Sequence, residues 1–401
     1  MDPRDTHPRD DADVLIVGAG PTGLTLATAL ERSGVSTLIV DKLDQGQNTS
    51  RAAVIHAHTL EVLERVGIAG QLTASGMKVT RFSLRDRDNT LVRLRFDELP
   101  SNYPHLLMIT QDVTERILRD SLAAARRAVR WGCRAESIAD AGDGVCATLV
   151  TKAGREIVRA KYVVGADGMH SLVRKTAGIG FIGESYEDSF VLADVDMDWD
   201  HGREEVMLFF SPAGVLVVAP LPGGRFRIVG SLDNAPEHPG VADIQALLDG
   251  RGPTRGAARV SRVHWSSRFR LHHRVAERYR SGRLLLVGDA AHAHSPAGGQ
   301  GMNTGLVDAC VLAELLADVI RGRRGETALD EYERLRKPAA EQVLGLAGRL
   351  TGMAIAKGAG RRMARNTLLR VLGSLPPARR RLQMQLSGLA RRAASQVPAA
   401  G

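Results

Sequence analysis

The sequence of 401 residues contains only three cysteines, Cys133, Cys146 and Cys310, and no Cys-x-x-Cys pair. An odd number without that spacing argues against a disulfide framework and a cysteine-based zinc site, so we interpret all three as free thiols. No run reaches the ~18 apolar residues of a membrane-spanning helix. The polar start, MDPRDTHPRDDAD, also lacks the basic and then apolar pattern of a signal peptide. We therefore expect a cytoplasmic protein without stable membrane insertion.

Acidic residues are missing from positions 351–401, which carry Lys357 and nine arginines and therefore a net charge of +10. The other 350 residues sum to −1, so the basic excess belongs to this C-terminal segment. Such a segment is compatible with binding to nucleic acid or to an anionic membrane surface. Solvated arginines on terminal helices are the simpler explanation, and we expect no nucleic-acid partner.

A glycine-rich motif made of Gly18, Gly20 and Gly23 follows an apolar strand and opens a helix at Pro21. The next strand ends at Asp41. Glycines at this spacing permit a tight turn, close approach of a pyrophosphate and packing of the helix on the strand. The helix N-terminus attracts phosphate, and Asp41 is placed to accept hydrogen bonds from ribose. The unit predicts dinucleotide binding and leaves NAD and FAD both open.

Two further motifs follow strands. The segment YVVGADG brings Asp167 and Gly168 to a turn, and alone it is equally typical of an ordinary strand-to-helix connection. The segment GDAAHAHSPAGGQGMNTG, residues 288–305, places Asp289 after a buried strand, where open α/β sheets bind ligands. Its glycines let backbone N–H groups at the start of a helix over 301–320 approach an anionic or electron-rich group.

In this order and at these separations, the three motifs resemble those of the single-component FAD-dependent aromatic hydroxylases, the class A or p-hydroxybenzoate hydroxylase-like flavin monooxygenases. Within that family they are most similar to the hydroxylases that tailor aromatic polyketides. The resemblance covers nearly the whole chain. It implies an α/β fold in which a Rossmann-like FAD-binding domain is interleaved with a β-rich substrate domain and followed by C-terminal helices.

Strand and helix patterns give this organisation its expected boundaries. The FAD-binding domain is expected at 1–72, 101–180 and 280–345, and the substrate-binding sheet at 73–100 and 181–279. The remaining residues, 346–401, are expected to form helices that the sequence LPPARRR divides. Some members of the family carry a thioredoxin-like C-terminal domain; from the roughly 110 residues after Asp289 we do not expect one in this sequence.

The resemblance implies an FAD-dependent NAD(P)H monooxygenase. NADPH or NADH would reduce the flavin, O2 would add to give a flavin C4a-hydroperoxide, and one oxygen atom would pass to a phenolic or polycyclic aromatic substrate. Because the cofactor supplies the chemistry, we expect no acid–base triad and assign no catalytic side chain. The sequence leaves the substrate, the choice between NADPH and NADH, and the oligomeric state, monomer or homodimer, undecided.

Three alternatives remain open at this stage. A related flavoenzyme reaction, such as epoxidation, Baeyer–Villiger oxidation or dehydrogenation, would use the same motifs. A nicotinamide-only dehydrogenase would leave the second and third motifs unexplained. A non-catalytic adaptor would act through the basic tail.

The resemblance also assigns residues. Asp289 matches the aspartate on the FAD ribityl chain, Pro296 the proline beside the oxygen-reacting face, and Arg51 an arginine near the pyrophosphate. Gln111 matches a glutamine on the cofactor, and Asp167 a residue of the combined FAD and NAD(P)H motif. The full set of predicted cofactor-binding residues is Gly18, Gly20, Pro21, Thr22, Gly23, Asp41, Lys42, Arg51, Gln111, Asp167, Asp289, Pro296, Gly299, Gly301, Met302 and Asn303.

For the substrate pocket we expect walls from strands over 206–210 and 215–220. The predicted lining residues are Met207, Phe209, Val217 and Pro296.

Two histidine pairs share an i, i+2 spacing, His56 with His58 and His292 with His294. Two ligands without a carboxylate or cysteine at ligand spacing do not indicate a metal site, so none is predicted. A proton-relay or substrate role for His56 and His58 is one hypothesis; packing at a helix start is the other.

Overall fold

The computed structural model describes residues 9–46, 52–232, 235–293, 298–354 and 358–399. Within these ranges the helices are α1 Pro21–Arg32, α2 Ala57–Arg65, α3 Ala69–Ser75, α4 Gln111–Ala124, α5 Leu172–Thr176, α6 Val241–Arg251, α7 Gln300–Ile320, α8 Asp330–Ala354, α9 Ala359–Ser374 and α10 Pro376–Leu386. None of them is both long and apolar enough to cross a membrane.

The strands alternate with these helices along the chain. They are β1 Arg9–Val17, β2 Thr37–Val40, β3 Val54–Ile55, β4 Met77–Val79, β5 Arg81–Asp86, β6 Asn89–Arg95, β7 Leu106–Met108, β8 Arg134–Asp140, β9 Val145–Thr151, β10 Gly154–Gly165, β11 Phe181–Trp199, β12 Glu205–Ser211, β13 Gly214–Pro220, β14 Phe226–Ser231, β15 Ala258–Ala276, β16 Arg280–Ser281, β17 Leu284–Leu286 and β18 His292–Ala293. A short 3-10 turn, Leu389–Ser395, follows α10.

A seven-stranded sheet forms the α/β part, with the order β16-β17-β10-β1-β2 and a β8–β9 hairpin joined to β10. The central pairs β1–β2, β1–β10 and β10–β17 are parallel. Val14, Leu15 and Ile16 of β1 are at most 1% exposed. Burial on both faces explains the unbroken apolar run of this strand, since parallel sheets are covered by helices. Together with α1, which joins β1 to β2, this sheet confirms the predicted Rossmann-like α/β class.

An eight-stranded sheet forms the β-rich part, with the order β18-β15-β11-β14-β13-β12-β5-β6. The β5–β6 hairpin comes from early in the chain and joins β12 in parallel. At the opposite edge, β18 pairs with β15. Segments that are far apart in the chain therefore build one sheet. They include β18, although residues 280–345 were expected in the FAD-binding domain. Helix α6 packs on one face of this sheet and leaves the other face to the cavity described below.

The C-terminal segment folds back on the rest of the protein. Gln383 of α10 donates from Nε2 to the carbonyl of Arg95 at the end of β6, at 2.6 Å. In the final 3-10 turn, Ser395 Oγ lies 2.9 Å from His58 Nε2, and its carbonyl accepts from Arg65 Nη1 at 3.1 Å. Arg392 forms an ion pair with Glu61 of α2. The tail is therefore a docked part of the fold, and only some of its arginines are solvated.

The environment of His58 makes folding dependent on pH. Burial, and then the nearby guanidinium groups of Arg336, Arg391, Arg392 and Arg65, lower the pKa of His58 to about 3. Below pH ~6.5 the unfolded chain binds a proton at this position that the folded protein does not bind. The free energy of unfolding therefore falls as the pH decreases through this range.

We predict that His58→Gln, which keeps a hydrogen-bonding side chain but cannot ionise, makes the protein less sensitive to acid. Between pH about 7 and pH about 5, the variant should lose about 2 kcal/mol less unfolding free energy than the native chain. Urea unfolding at the two pH values measures this difference. An identical loss in both proteins would contradict this, because it would show that His58 binds a proton as readily in the folded protein as in the unfolded chain.

Candidate active site

A cavity of about 690 Å³ lies between the eight-stranded sheet and the segments that follow β1, β10 and β17 of the seven-stranded sheet. The small three-stranded sheet β3-β7-β4 and helices α7 and α10 also contribute lining residues. One group of lining residues comes from the motifs of the α/β part: Gly20, Pro21, Thr22, Gln111, Gly168, Asp289, Gly299, Gly301 and Met302. The other group is apolar and comes largely from the eight-stranded sheet: Phe82, Leu84, Phe190, Leu192, Val206, Leu208, Phe210, Val215, Val217 and Val229. The cavity thus joins a polar glycine-rich wall to an apolar wall.

The glycine motif has three different local requirements. At Gly18 the backbone φ is +106°, and a Cβ would lie 2.3 Å from the carbonyl oxygen of Ala166. A Cβ at Gly23 would lie 2.0 Å from the carbonyl oxygen of Gly18. Gly20 differs, because its φ of −72° suits any residue and a Cβ there would meet no protein atom within 4 Å. Since Gly20 lines the cavity, the space beside it is suited to a bound group that approaches the backbone.

The start of α1 fits an anionic group at that position. Pro21 occupies the first turn, no side chain caps the helix, and no acidic residue lies in this turn. The first backbone N–H groups therefore lack partners within the helix and favour a phosphate. Asp41 stabilises this turn, because its carboxylate accepts hydrogen bonds from the backbone N–H groups of Ala19 at 2.8 Å and of Leu43 at 3.0 Å. Lys42 is exposed, and neither Asp41 nor Lys42 lines the cavity.

A second helix start, that of α7, meets the same cavity. Gly299 precedes the helix with φ +64°, and no side chain caps its N-terminus. Gly301 and Met302 line the cavity. Asn303 fixes the turn from below: its Oδ1 accepts from the backbone N–H of His56 at 2.8 Å, and its Nδ2 donates to the Gly299 carbonyl at 2.8 Å. Asn303 therefore positions the loop without lining the cavity.

His56 is a cavity residue with an unused acceptor. Its Nε2 lies 3.1 Å from the carbonyl oxygen of Gly298 and 3.2 Å from that of Gly299. Because both neighbours are acceptors, Nε2 carries the proton and Nδ1 does not. Nδ1 is buried, and no described residue donates to it. Burial, and then Arg391, lower the pKa of His56 to about 4. The side chain is thus a neutral acceptor that suits a donor group bound in the cavity.

The remaining predicted cofactor residues divide into three groups. Asp289 and Gln111 line the cavity, and Gln111 also accepts from the backbone N–H of Ala52 at 3.3 Å. The carboxylate of Asp167 instead accepts from the backbone N–H of Leu172 at 2.7 Å at the start of α5. Its neighbours Gly168 and Met169 are the lining residues. Arg51 and Pro296 lie outside the described residues.

The structure corrects two of the predicted substrate-lining residues. Val217 lines the cavity, whereas Met207 and Phe209 belong to the core between the sheet and α6. Along β12 the side chains alternate between the two faces. The lining positions of this strand are therefore Val206, Leu208 and Phe210.

One of the two histidines of the third motif, His292, also has a structural explanation. His292 and Ala293 point to opposite faces of β18, and Ala293 is the one that lines the cavity. His292 Nε2 lies 2.6 Å from Oδ2 of the buried Asp308, whose Oδ1 accepts from Arg336 Nε at 2.6 Å. Burial alone would raise the pKa of Asp308, but Arg336 and His292 hold it below its ordinary value. His294 lies outside the described residues.

No metal centre is visible in the described part of the chain, where no three His, Cys, Asp or Glu side chains are arranged to hold an ion.

Three polar cavity residues have no counterpart among the predictions: Arg227, Arg268 and His272. Arg227 is buried and donates to both oxygens of Asp194, at 2.7 and 2.8 Å. The two residues lie on β14 and β11, which pair in the sheet. Nothing in the local sequence of either strand marks this pair, because only the pairing of the strands brings the two side chains together.

Comparison with known proteins agrees with this geometry. The family model described as "FAD binding domain" matches residues 11–347. The chain is 37% identical over 391 residues to 6-methylpretetramide 4-monooxygenase of Streptomyces rimosus, covering 95% of this chain and 70% of that protein. It is 34% identical over 340 residues to pentachlorophenol 4-monooxygenase of Sphingobium chlorophenolicum, covering 83% and 63%. The chain thus spans about two thirds of the length of these curated relatives.

A solved structure shares the architecture. The anhydrotetracycline hydroxylase of Streptomyces rimosus superposes with a TM-score of 0.80 at 31% identity, covering 98% of this chain and 78% of that one. The family match includes every described cavity residue except Leu382 and Leu386 of α10. The chain therefore belongs to the FAD-binding family of monooxygenases that act on aromatic compounds.

Proposed function

We propose that this protein uses FAD, NADPH or NADH, and O2 to hydroxylate a phenolic or polycyclic aromatic substrate of the polyketide type. The observation that carries the proposal is a cavity whose walls combine two uncapped helix starts with an apolar sheet face. A volume of about 690 Å³ lies within the usual range for small-molecule sites. The names of the relatives, which include enzymes of tetracycline compounds and of a chlorinated phenol, support the substrate class.

The residues of the cavity suit the cofactor. Gly20 and the start of α1 would receive the pyrophosphate, Asp289 the ribityl chain, and the turn Gly299–Met302 the ring system. FAD, once reduced and exposed to O2, supplies the oxygen transfer itself. The protein contributes position, charge and exclusion of water. The apolar side chains of β12 and β13 would hold the aromatic substrate against the ring and keep bulk water out.

The charge of the site favours an anionic reduced ring. The uncapped N-terminus of α7 carries partial positive charge. Behind it, Arg391 Nη2 donates to Oε1 of Gln300, the first residue of α7, at 2.7 Å. This guanidinium makes no ion pair with a described carboxylate. Burial, and then Arg336, lower the pKa of Arg391 to about 10, so it stays charged at neutral pH. His56, being neutral, adds no charge to this wall and offers its Nδ1 acceptor.

A turnover experiment with labelled oxygen tests the proposed function. The purified protein, loaded with FAD, is given NADPH or NADH, isotopically labelled O2, and either anhydrotetracycline or pentachlorophenol as the probe. We expect the probe to stimulate NAD(P)H oxidation and the product to contain one labelled oxygen atom. Oxidised product without label would indicate a dehydrogenase. Label inserted into a ring bond or an epoxide would indicate one of the related flavoenzyme reactions.

The cofactor position has its own test in Gly20. Gly20→Ala adds a Cβ that meets no protein atom within 4 Å, so the fold should tolerate it. The same Cβ should collide with a pyrophosphate bound against the backbone at this position. We expect the FAD dissociation constant to rise at least about tenfold, a loss of ~1.4 kcal/mol. The melting temperature of the cofactor-free protein should stay within about 3 °C. Fluorescence titration with FAD and thermal melts measure the two quantities.

Gly70→Ala is the matched control. Gly70 lies in α3 and is exposed, and a Cβ there would also meet no protein atom within 4 Å. FAD affinity should be unchanged in this variant. Equal FAD affinity in Gly20→Ala and Gly70→Ala would place the pyrophosphate elsewhere.

The substrate wall is tested by two neighbours on β12. Leu208→Trp fills part of the cavity and should raise KM for a polycyclic substrate about tenfold, while FAD content stays the same. Met207→Leu, one residue away, faces α6 and should leave KM unchanged. Steady-state kinetics and the visible flavin spectrum measure both effects. A larger KM change in Met207→Leu than in Leu208→Trp would contradict the assignment of the cavity face.

A further inference from the structure

Helix α9 presents an apolar surface to solvent. Eight large hydrophobic side chains are exposed among the described residues, and five of them lie on α9 or directly after it. We call these five the α9 face: Met363 (71% exposed), Leu368 (56%), Val371 (52%), Leu372 (41%) and Leu375 (48%). Concentration of such residues on one helix marks an interaction site more often than scattered single residues do.

The fold does not use this face, because α9 is anchored by its other side. Leu369 is buried in the core that lies beneath the helix. Gly373 packs against β6, where a Cβ would lie 3.1 Å from the carbonyl oxygen of Leu91. The Arg365 guanidinium lies 5.1 Å from the centre of the Phe210 ring. These contacts fix the orientation of α9 and leave its apolar side outward.

Arginines surround the α9 face. Arg361 and Arg370 lie on α9, and Arg379, Arg380 and Arg381 lie at the start of α10; all five are exposed. No described carboxylate forms an ion pair with any of them. Residues 351–401 contain no aspartate or glutamate at all. At 100° per residue, Arg361 and Arg370 fall on opposite borders of the apolar face.

This arrangement selects among possible occupants. A second copy of the chain, docked through the same face, would bring two sets of arginines together without acidic partners, and like charges in contact repel. An anionic lipid surface suits both the apolar side chains and the arginines around them. Aliphatic side chains enter the boundary between headgroups and acyl chains, and the flanking arginines bind phosphates. We propose that the α9 face docks the protein peripherally onto membranes that contain anionic lipids.

The docked surface would lie next to the active site. Leu382 and Leu386 of α10, the helix that follows α9 and contacts it, line the cavity. The proposal itself rests on the exposed face and its charge, and it does not depend on the proposed reaction.

Vesicle flotation with the full chain carrying FAD tests the proposal. We expect the protein to float with vesicles of mixed phosphatidylglycerol and phosphatidylcholine but not with phosphatidylcholine alone. Salt at about 0.5 M should reduce binding, because it screens the arginines. The double variant Leu368→Gln with Val371→Gln should reduce the bound fraction at least about fivefold, since it removes two inserting side chains. FAD content should not change, because neither residue touches the cavity.

Ile182→Gln is the matched control, because Ile182 is 63% exposed but lies on β11, away from α9. Its binding to anionic vesicles should equal that of the native chain. The proposal is overturned if the native chain does not float with anionic vesicles, or if the double variant and the control behave alike.

Two other occupants of the α9 face give different results. Light scattering that shows a dimer, which the double variant dissociates and vesicles do not affect, would assign the face to a second copy. Retention on immobilised polyglutamate without flotation would assign it to an acidic protein; either result overturns the lipid proposal.

Discussion

The site depends on the contact between the first turn of α7 and the junction of β3 with α2. One amide side chain, that of Asn303, accepts from the His56 backbone N–H and donates to the carbonyls of Val54 and Gly299. It thereby fixes two loops whose residues are 247 positions apart in the chain. A buried hydrogen bond adds only about 1 kcal/mol net, but leaving its partner unpaired costs about 1–3 kcal/mol. The position of the two loops is therefore fixed mainly because other positions would leave these buried groups without hydrogen bonds.

Charge at this contact follows from the way the C-terminal segment folds back. The Arg391 guanidinium reaches Gln300 at the start of α7 and also helps to lower the pKa of His56. One cation thus has two consequences: it favours negative charge in the cavity and keeps the neighbouring histidine neutral. The helix start and the guanidinium act in the same direction, so the polar wall is electropositive without a titrating group near neutral pH.

Local features of the sequence predicted a large part of this structure. The glycine turn, α1 and Asp41 lie within about two dozen residues, and their requirements, a positive φ and close packing, are properties of the residues themselves. The contacts of the tail are different. His58 and Ser395 are separated by 337 positions, and neither has a sequence pattern that identifies its partner. Predicting the tail as solvated charge was therefore correct for some arginines and wrong for Arg391 and Arg392, which tertiary packing holds in place.

The substrate wall shows a second physical limit. In a strand with one face toward solvent, polar residues identify that face. Because side chains alternate between the two faces, every other side chain of the strand can then be placed. Strand β12 has no such mark, because Met207, Leu208, Phe209 and Phe210 are all at most 7% exposed. One face is covered by α6 and the other borders the cavity. The sequence predicts that the side chains of β12 alternate between two faces, but it does not predict which of them face the cavity. Which side chains face the cavity depends on the face of the sheet that α6 covers, and α6 lies some thirty residues further along the chain.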